Sequence, residues 1–313
     1  MSEKPAVIVL TGPTAVGKTA LSLRLAETLD GEIVGADSMQ VYRGMDVGTA
    51  KASPEERARV PHHLIDVADP SQDFSVAEYV PLAEAELRDI LSRGRLPLIC
   101  GGTGFYIQAL LKGLDFSGER ESSLRQHLQA RMEQEGPEAL HRELAAVDPA
   151  AAAAIHPHNR KRVIRALEYY QETGQRISDL NQAQQTQESP YRVLYLVLDL
   201  PREQLYRRID LRVDQMLAQG LEEEVRSLLA QGVPAGCTAM QALGYKEMRE
   251  YLEGRCPREE AAERIKLGSR HYAKRQLTWF RREKEAVWID KSRYVDEEEL
   301  FRAVLALCRE HIG

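Results

Sequence analysis

The sequence has no long apolar run, and this absence argues against a membrane-spanning helix. None of its apolar stretches approaches the roughly 20 residues that cross a bilayer. The run nearest the N-terminus, "AVIVL" at 6–10, is short and leads directly into a glycine motif. A signal peptide requires a longer apolar region and a small-residue cleavage site. We therefore expect a cytoplasmic protein that makes no membrane contact.

Cysteine is scarce and scattered. The four cysteines are Cys100, Cys237, Cys256 and Cys308. None forms a C-x-x-C pair, which argues against a cysteine zinc site and favours buried, reduced thiols. The adjacent His62 and His63 have no ligand partner at helical spacing, so we expect them to be structural or surface residues.

The sequence also lacks an excess of positive charge. The formal net charge is −6, which argues against a uniformly basic nucleic-acid-binding protein. Two segments are nevertheless basic. Residues 264–284 contain eight Lys or Arg and one acid, and residues 159–165 read "NRKRVIR". Because phosphate-backbone contact depends on local charge, both segments are candidate RNA surfaces.

Short apolar runs alternate with helical patterns over the first hundred residues. Strands are predicted at 6–10, 31–37, 62–67 and 96–100, and helices at 17–29 and 75–94. Each strand is apolar throughout, as in a parallel sheet that is buried on both faces. The alternation predicts an α/β fold, a parallel sheet flanked by helices like that of P-loop NTPases.

A change of pattern near residue 116 indicates an insertion. The stretch 122–174 has helical periodicity without strand candidates, and the polar 173–190 is typical of a linker. Strands return at 192–200 and 286–290, with helices at 202–219, 221–231, 247–253, 258–283 and 296–311. We predict an α/β core with C-terminal helices, formed by 1–115 and 186–313, and a helical insertion domain at 116–185.

The segment "TGPTAVGKTA", 11–20, contains the pattern G-x-x-x-x-G-K-[ST]. It follows a strand and opens a helix, the context in which this pattern cradles phosphates. Glycines let successive N–H groups point at an anion, and the helix N-terminus adds positive charge. Lys18 is expected to neutralise phosphate oxygens, and the Thr19 hydroxyl to bind Mg²⁺. The predicted phosphate-binding residues are Gly12, Pro13, Thr14, Ala15, Val16, Gly17, Lys18 and Thr19.

The motif does not identify the reaction. It would serve ATP, GTP or any pyrophosphate, so nucleotide binding stays open. A GTPase usually carries an Asn-Lys-x-Asp motif, and this sequence has none. A small-molecule kinase remains possible at this point.

Asp37 lies where the second predicted strand ends, at the carboxyl edge at which open α/β sheets bind ligands. It could bind Mg²⁺, act as a general base, or cap the next segment. Gln40 follows it and could pair with an adenine edge. A second glycine cluster, 101–104, ends another strand at the same edge, where Thr103 could donate to a ligand.

Five motifs together resemble the tRNA dimethylallyltransferase (tRNA isopentenyltransferase, IPP transferase) family. They are "GPTAVGKT", "DSMQVYRGMDVGTAK", "GGTGFY", "QALGYKEM" and "KRQLTWFRRE", in this order and nearly end to end. The resemblance is to the bacterial type, which lacks the zinc-finger extension of some eukaryotic relatives.

The resemblance implies a reaction. A dimethylallyl group would pass from dimethylallyl diphosphate to the N6 amine of the adenosine 3′-adjacent to the anticodon in tRNA, releasing diphosphate. The phosphate cradle would then hold the diphosphate of the donor with Mg²⁺, and Asp37 would be the general base. An arginine from 204–217 would assist the leaving group, with Arg212 first and Arg208 second.

The resemblance also implies RNA contacts, with the helical insertion clasping the anticodon stem-loop. The implied tRNA-binding residues are Asp37, Ser38, Met39, Gln40, Thr103, Arg125, Lys161, Arg162, Val163, Ile164, Arg165, Met240, Gln241, Ala242, Leu243, Gly244, Tyr245, Lys274, Arg275, Gln276, Leu277, Thr278, Trp279, Phe280 and Arg281.

Three other functions are weighed against this one. A small-metabolite kinase would use ATP, and a prenyltransferase acting on free adenine nucleotide would not need "KRQLTWFRR". An RNA-binding protein without chemistry would not need Lys18 beside an edge aspartate. We expect a monomer that works on tRNA and dimethylallyl diphosphate.

Overall fold

The structure is a computed structural model that describes residues 4–114 and 123–313. Within them, six parallel strands form one sheet with the order β3-β2-β4-β1-β5-β6. The strands are β1 (Ala6–Thr11), β2 (Gly31–Gly35), β3 (His62–His63), β4 (Leu96–Cys100), β5 (Arg192–Asp199) and β6 (Val287–Asp290). The predicted α/β fold with a parallel sheet is confirmed.

Helices flank the sheet and form the inserted segment. They are α1 (Lys18–Thr28), α2 (Pro54–Arg59), α3 (Val76–Ser92), α4 (Gly104–Lys112), α5 (Ser123–Glu135), α6 (Pro137–Val147), α7 (Pro149–Ala154), α8 (Arg160–Thr173), α9 (Ile177–Thr186), α10 (Arg202–Ala218), α11 (Leu221–Ala230), α12 (Tyr245–Leu252), α13 (Arg258–Phe280) and α14 (Glu297–Ile312). Short 3₁₀ helices occupy Ala239–Gln241 and Lys291–Arg293.

The central strands are apolar because both faces of the sheet are covered. Val7, Ile8, Val9 and Leu10 of β1 have no exposed surface. Side chains of α1, α10 and α14 join those of the strands in one buried cluster. The sheet therefore gives a rigid edge from which the loops after its strands project.

The third predicted strand, 62–67, is shorter than expected. The structure keeps only β3, and the backbone turns at Leu64 and Asp66, whose φ angles are 62° and 60°. A left-handed backbone cannot continue a strand. His63 lies between two carboxylates, 2.7 Å from both Glu32 and Glu86, which is the structural role expected of it.

The prediction of a linker over 173–190 is wrong, because α9 occupies most of that stretch. This segment has no glycine or proline between Ile177 and Thr186. Its first turn is tied down, since the Ser178 N–H donates to Asp148 Oδ2 at 3.0 Å. The linker was predicted because the segment is polar, but a contact with Asp148 stabilises α9 there.

The chain divides into two compact units. One comprises Met1–Gly113 and Pro190–Gly313, and the other comprises Leu114–Ser189. The second unit has its own apolar cluster, which includes Leu128, Leu140, Leu144 and Leu167. The predicted start of the insertion at 115/116 lies outside the described residues. In the described part of the chain, no helix is both long and apolar enough to cross a membrane.

Candidate active site

The glycine motif forms a tight loop between β1 and α1. Its backbone is left-handed at Ala15 (φ 64°) and Gly17 (φ 97°), and Gly12 has φ 143°. A Cβ on Gly12 would stand 2.4 Å from the carbonyl oxygen of Leu198, so no side chain fits there. The loop has the curled geometry that points backbone N–H groups at an anion.

Lys18 begins α1 and folds back over this loop. Its Nζ donates to the carbonyl oxygens of Gly12 and Pro13, both at 3.0 Å. The pKa of Lys18 is lowered to about 8, chiefly by burial; the positive charge of Arg212 also lowers it, while Cys100 and the charge of Asp37 raise it. Desolvation penalises the ammonium, and an arriving anion would relieve that penalty.

Asp37 follows β2 and turns the backbone. Its Oδ1 accepts from the N–H of Met39 at 2.9 Å and, at 3.4 Å, from that of Gln40. One carboxylate oxygen thus caps the turn, which is one of the three roles open from sequence. The charge of Asp37 also shifts the pKa of Lys18, Arg212 and the Tyr272 hydroxyl, so the four groups share one electrostatic environment.

The glycine cluster after β4 is joined to the Asp37 turn. Thr103 Oγ1 accepts from the Ser38 N–H at 2.9 Å, and the Thr103 N–H donates to the Ala36 oxygen at 3.0 Å. A Cβ on Gly101 would lie 2.1 Å from that Ala36 oxygen, so the approach requires glycine. Thr103 therefore holds the loop that carries Asp37, and its expected contact with RNA stays a prediction.

Gln276 on α13 connects the phosphate loop with the second glycine cluster. Its Oε1 accepts from the Thr14 N–H, and its Nε2 donates to the Gly102 oxygen, both at 2.9 Å. The side chain is buried, so it does not fit the expected RNA contact, and the structure assigns it a clamping role. Its spacing from Ser269, Ala273 and Phe280 on the buried face of α13 was the signal available from sequence.

Arg212 and Arg208 project from α10. Arg212 donates to the Thr49 oxygen at 3.3 Å, and its buried Nε has no hydrogen-bond partner in the described part of the chain. Burial lowers its pKa and the charge of Asp37 raises it. Arg208 is more exposed and reaches the Val16 oxygen at 3.5 Å. Arg212 is thus the arginine with unused hydrogen-bonding capacity in the site.

Lys291 is a basic neighbour of the phosphate loop that sequence reasoning missed. Its buried Nζ donates to the Val16 oxygen at 3.2 Å and lies 2.9 Å from Glu297 Oε1. A Cβ on Gly17 would be 2.9 Å from that Nζ. Lys291 is more than 270 residues from the loop, and a single lysine after a strand carries no local signal.

Tyr272 of α13 was also missed. Burial is the main cause that raises the pKa of its hydroxyl, and the charge of Asp37 is the next. The hydroxyl interacts with the side chains of Thr103 and Gln276, and each of them lowers that pKa. Tyr272 is thus a neutral hydroxyl beside the site carboxylate.

Several residues expected to contact tRNA have side chains buried in the core, and their contact with tRNA stays a prediction. Apolar side chains have packing roles here because the amphipathic helices that carry them bury one face. The buried ones are Val163, Ile164, Met240, Ala242, Tyr245 and Phe280. The Tyr245 hydroxyl donates to Glu224 Oε1 at 2.5 Å, and Glu224 accepts from the N–H groups of Asp46, Val47 and Gly48.

Other expected RNA contacts have partners within the protein. Gln40 Nε2 donates to the Thr49 oxygen at 3.1 Å, so part of its amide is engaged. Gln241 Nε2 donates to the Ala235 oxygen at 2.8 Å. Leu243 packs against Gly268, where a Cβ would be 2.5 Å from its side chain. Arg125 pairs with the buried Glu168 at 2.7 Å.

The basic segment 264–284 divides into two halves. Arg264, Lys266 and Arg270 pair with Glu250, Asp214 and Asp210 at 2.6, 2.9 and 2.7 Å. The cations of the second half are exposed, and no carboxylate of the described residues forms an ion pair with them. Its cations are Lys274, Arg275, Arg281, Arg282 and Lys284. We call these five residues the free basic patch.

In the helical unit, Lys161 and Arg162 of α8 are exposed, and no ion pair forms on them within the described ranges. Arg165 lies 3.7 Å from Glu168. Charge without an internal partner is available to an external anion. The exposed part of the "NRKRVIR" segment therefore stays a candidate RNA surface.

The fold and the site define a P-loop α/β protein. A phosphate loop, a carboxylate and an arginine meet where β1, β2 and α10 converge, at the carboxyl edge of the sheet. Such a site can bind a phosphorylated group and place a proton acceptor near it.

Comparison with known proteins narrows this class. The sequence matches the family described as IPP transferase over residues 40–283 and the family described as isopentenyl transferase over residues 5–66. The chain belongs to the IPP transferase family.

Curated relatives and solved structures agree with this assignment. The tRNA dimethylallyltransferase of Lachnoclostridium phytofermentans is 48% identical over 97% of both chains. The full-length tRNA isopentenylpyrophosphate transferase of Bacillus halodurans is 44% identical, with a TM-score of 0.75 over 99% of this chain and 97% of that one. A eukaryotic dimethylallyltransferase acting on tRNA is 31% identical, with a TM-score of 0.82 over 96% of this chain and 78% of that one.

Proposed function

We propose that this protein transfers a dimethylallyl group from dimethylallyl diphosphate to tRNA. The acceptor is the N6 amine of the adenosine 3′-adjacent to the anticodon, and the products are N6-dimethylallyladenosine and diphosphate. One observation carries the proposal: the carboxylate of Asp37 shares an electrostatic environment with Lys18 and Arg212 at the phosphate loop. A proton acceptor thus lies beside groups that stabilise a departing diphosphate.

The leaving group depends on positive charge. When the C–O bond of the donor breaks, its electron pair goes to the diphosphate, and negative charge grows on the bridging oxygen. Lys18 and Arg212 are buried cations at that loop, and buried charges stabilise developing charge more strongly than exposed ones. The cost of their burial is lowest when the anion is bound.

Mg²⁺ is a proposed part of the site. Within the described residues, no group of three or more His, Cys, Asp or Glu could hold a metal ion. Thr19 lies in the first turn of α1, and its hydroxyl would hold the ion together with phosphate oxygens of the donor. When bound, it neutralises diphosphate charge.

The acceptor amine is a weak nucleophile because its lone pair is delocalised into the adenine ring. As its nitrogen bonds to the allylic carbon, an N–H proton must leave. Asp37 would accept it, because the turn uses one carboxylate oxygen as a cap and leaves the other available. The neutral Tyr272 hydroxyl beside Asp37 can position the base.

RNA binding rests on exposed charge. The free basic patch, which begins in the last turns of α13 and continues beyond its end, can contact phosphates, and so can Lys161 and Arg162 on α8. The target base must leave its stack to reach a buried site, and single-stranded loops allow this. We propose that the helical unit clasps the anticodon stem-loop, and that the protein acts as a monomer in the cytoplasm, where tRNA is found.

Transfer to unmodified tRNA tests the proposal. Purified protein with Mg²⁺, labelled dimethylallyl diphosphate and an anticodon stem-loop should give prenylated RNA, detected as dimethylallyladenosine after digestion. Lys18→Ala should abolish transfer and retain RNA binding. Labelled phosphate passing from ATP to a metabolite, with no prenylated RNA, would instead indicate a kinase. Prenylation of free adenine nucleotide in preference to RNA would indicate a prenyltransferase that acts on the free nucleotide.

A further inference from the structure

A second cavity opens at the carboxyl edge of the sheet, beyond β5 and β6. Its volume is about 720 Å³, within the roughly 300–1,000 Å³ of small-ligand sites. The proposed reaction does not use it. Gln276 of α13 faces the phosphate loop, whereas Lys274 and Leu277 of the same helix, and Arg281 directly after it, line this cavity. Successive helical residues are rotated by about 100°, so α13 serves both sites with different faces.

Three aromatic side chains line the cavity. They are Tyr206 of α10, Trp288 of β6 and Tyr294, which follows the last 3₁₀ helix. Trp288 is 36% exposed although it belongs to a strand, so part of its ring is open to a ligand. The Arg202 guanidinium lies 5.1 Å from the centre of the Tyr206 ring and covers part of it. Trp288 and Tyr294 are therefore the surfaces open to stacking.

The polar groups of the cavity combine donors with one available acceptor. Lys274 and Arg281 belong to the free basic patch. Asp290 already accepts from Ser292 and lies 3.4 Å from Arg293. Asp199, at the end of β5, accepts one hydrogen bond within the described residues, from the Leu200 N–H at 2.8 Å. Its remaining lone pairs can accept from a ligand amino group.

Aromatic faces, a carboxylate acceptor and phosphate-binding cations together match the chemistry of a nucleotide. Bases of single-stranded RNA stack on aromatic side chains, and their amino groups donate to carboxylates. The cavity is continuous with the free basic patch through Lys274 and Arg281, which favours a nucleotide of the bound RNA over a free one.

We propose that this cavity receives one unstacked anticodon-loop nucleotide of the tRNA, distinct from the target adenosine. Its base lies against Trp288 and Tyr294, its amino group faces Asp199, and its phosphate contacts Lys274 and Arg281. The proposal rests on tRNA being the substrate. It adds a position at which the enzyme reads the loop.

A double-mutant cycle that combines variants of the protein with changes in the RNA tests this site. Stem-loops carrying one abasic nucleotide at each loop position are titrated against the wild type, Trp288→Ala and Trp288→Phe. Base stacking implies roughly a five- to hundredfold loss of affinity at one position other than the target adenosine. In Trp288→Ala the same abasic RNA should cause no further loss, and Trp288→Phe should restore the wild-type pattern.

Two neighbouring arginines supply the matched control. Arg281 lines the cavity and Arg282 does not, although both are exposed and belong to the free basic patch. Both alanine variants should weaken RNA binding through lost charge, but only Arg281→Ala should reduce the sensitivity to that abasic position. Equal sensitivity in the two variants, or no coupling with Trp288 at any position, would overturn the proposal.

Fluorescence distinguishes the source of the nucleotide. The chain contains two tryptophans, so Trp279→Phe leaves Trp288 as the sole reporter. The stem-loop should quench it at concentrations that saturate binding, and adenosine, guanosine, cytidine or uridine monophosphate should not at equal concentration. Quenching by a monophosphate alone would contradict the RNA assignment. Coupling in a protein that transfers no dimethylallyl group would support this site and refute the proposed reaction.

Discussion

The side-chain oxygen of Gln276 accepts a hydrogen bond from the backbone N–H of Thr14 at 2.9 Å. This bond joins the long helix α13 to the phosphate loop, across 262 residues of sequence. Two residues of the free basic patch, Lys274 and Arg275, are exposed on the same helix, and the other three follow its C-terminal end. A position inside the "KRQLTWFRRE" motif therefore shapes the phosphate site, while its neighbours are free to bind RNA.

Replacing Gln276 should separate these two roles. Gln276→Leu removes both clamping hydrogen bonds and leaves the Thr14 N–H and the Gly102 oxygen without this partner. An unsatisfied polar group of this kind costs about 1–3 kcal/mol of stabilisation of the loop. We expect pyrophosphate affinity to fall by roughly tenfold to a hundredfold, measured by calorimetry, with RNA affinity unchanged. Arg275 is the exposed neighbour of Gln276, and Arg275→Ala should lower RNA affinity and leave pyrophosphate affinity unchanged. A loss of RNA affinity in Gln276→Leu, with its fold intact by circular dichroism, would restore the RNA-contact interpretation.

Asp37→Asn should separate the base from the cap. Asparagine keeps an oxygen that accepts from the Met39 N–H, so the turn should persist. It cannot take the amine proton, and loss of a general base costs roughly 10²- to 10⁴-fold in rate. We expect kcat for transfer to fall by this factor with KM values nearly unchanged. If Asp37 bound Mg²⁺ instead, raising the Mg²⁺ concentration would recover much of the lost rate.

Lys18 should make diphosphate binding depend on pH. Its pKa in the free protein is about 8, because burial lowers it, and a bound diphosphate would raise it. Binding therefore takes up a proton above pH 8, so affinity should be full below that pH and decline as pH rises through 8 towards 10. Calorimetry with pyrophosphate measures this directly. Lys18→Met should bind weakly and should lack the part of the decline that is due to Lys18, and identical pH profiles in the wild type and this variant would contradict the prediction.

Only the unpaired half of the basic segment should control salt dependence. Arg282→Ala removes a cation that has no carboxylate partner in the described chain, so the slope of log affinity against log salt should fall by about 1. Arg264→Ala removes a cation that already pairs with Glu250 at 2.6 Å. The slope of log affinity against log salt for Arg264→Ala should therefore stay near that of the wild type. Filter binding of the stem-loop between 50 and 200 mM salt, on the order of the range where counterion release is resolved, tests both variants.

Much of the fold could be predicted from local pattern. The strand at 96–100 has the predicted bounds, and β1, β5 and β6 differ from prediction by one residue at one end. Buried parallel strands are apolar runs, and such runs are visible in the sequence. The short β3 and the helix α9 were mispredicted because a backbone turn and a tertiary hydrogen bond overrode composition.

In the candidate site, too, some residues could be predicted from local sequence and others only from the tertiary structure. The sequence by itself determined the parallel sheet, the phosphate loop with Lys18 and Thr19, and the position of Asp37 at a strand end, because each depends on residues close in the chain. Only the tertiary structure decided that Gln276 joins the phosphate loop to the second glycine cluster, that Lys291 and Tyr272 join the site, and that Trp288 lines a second cavity. These residues come together through packing of distant helices and strands, and no local pattern records which side chains such packing brings into contact.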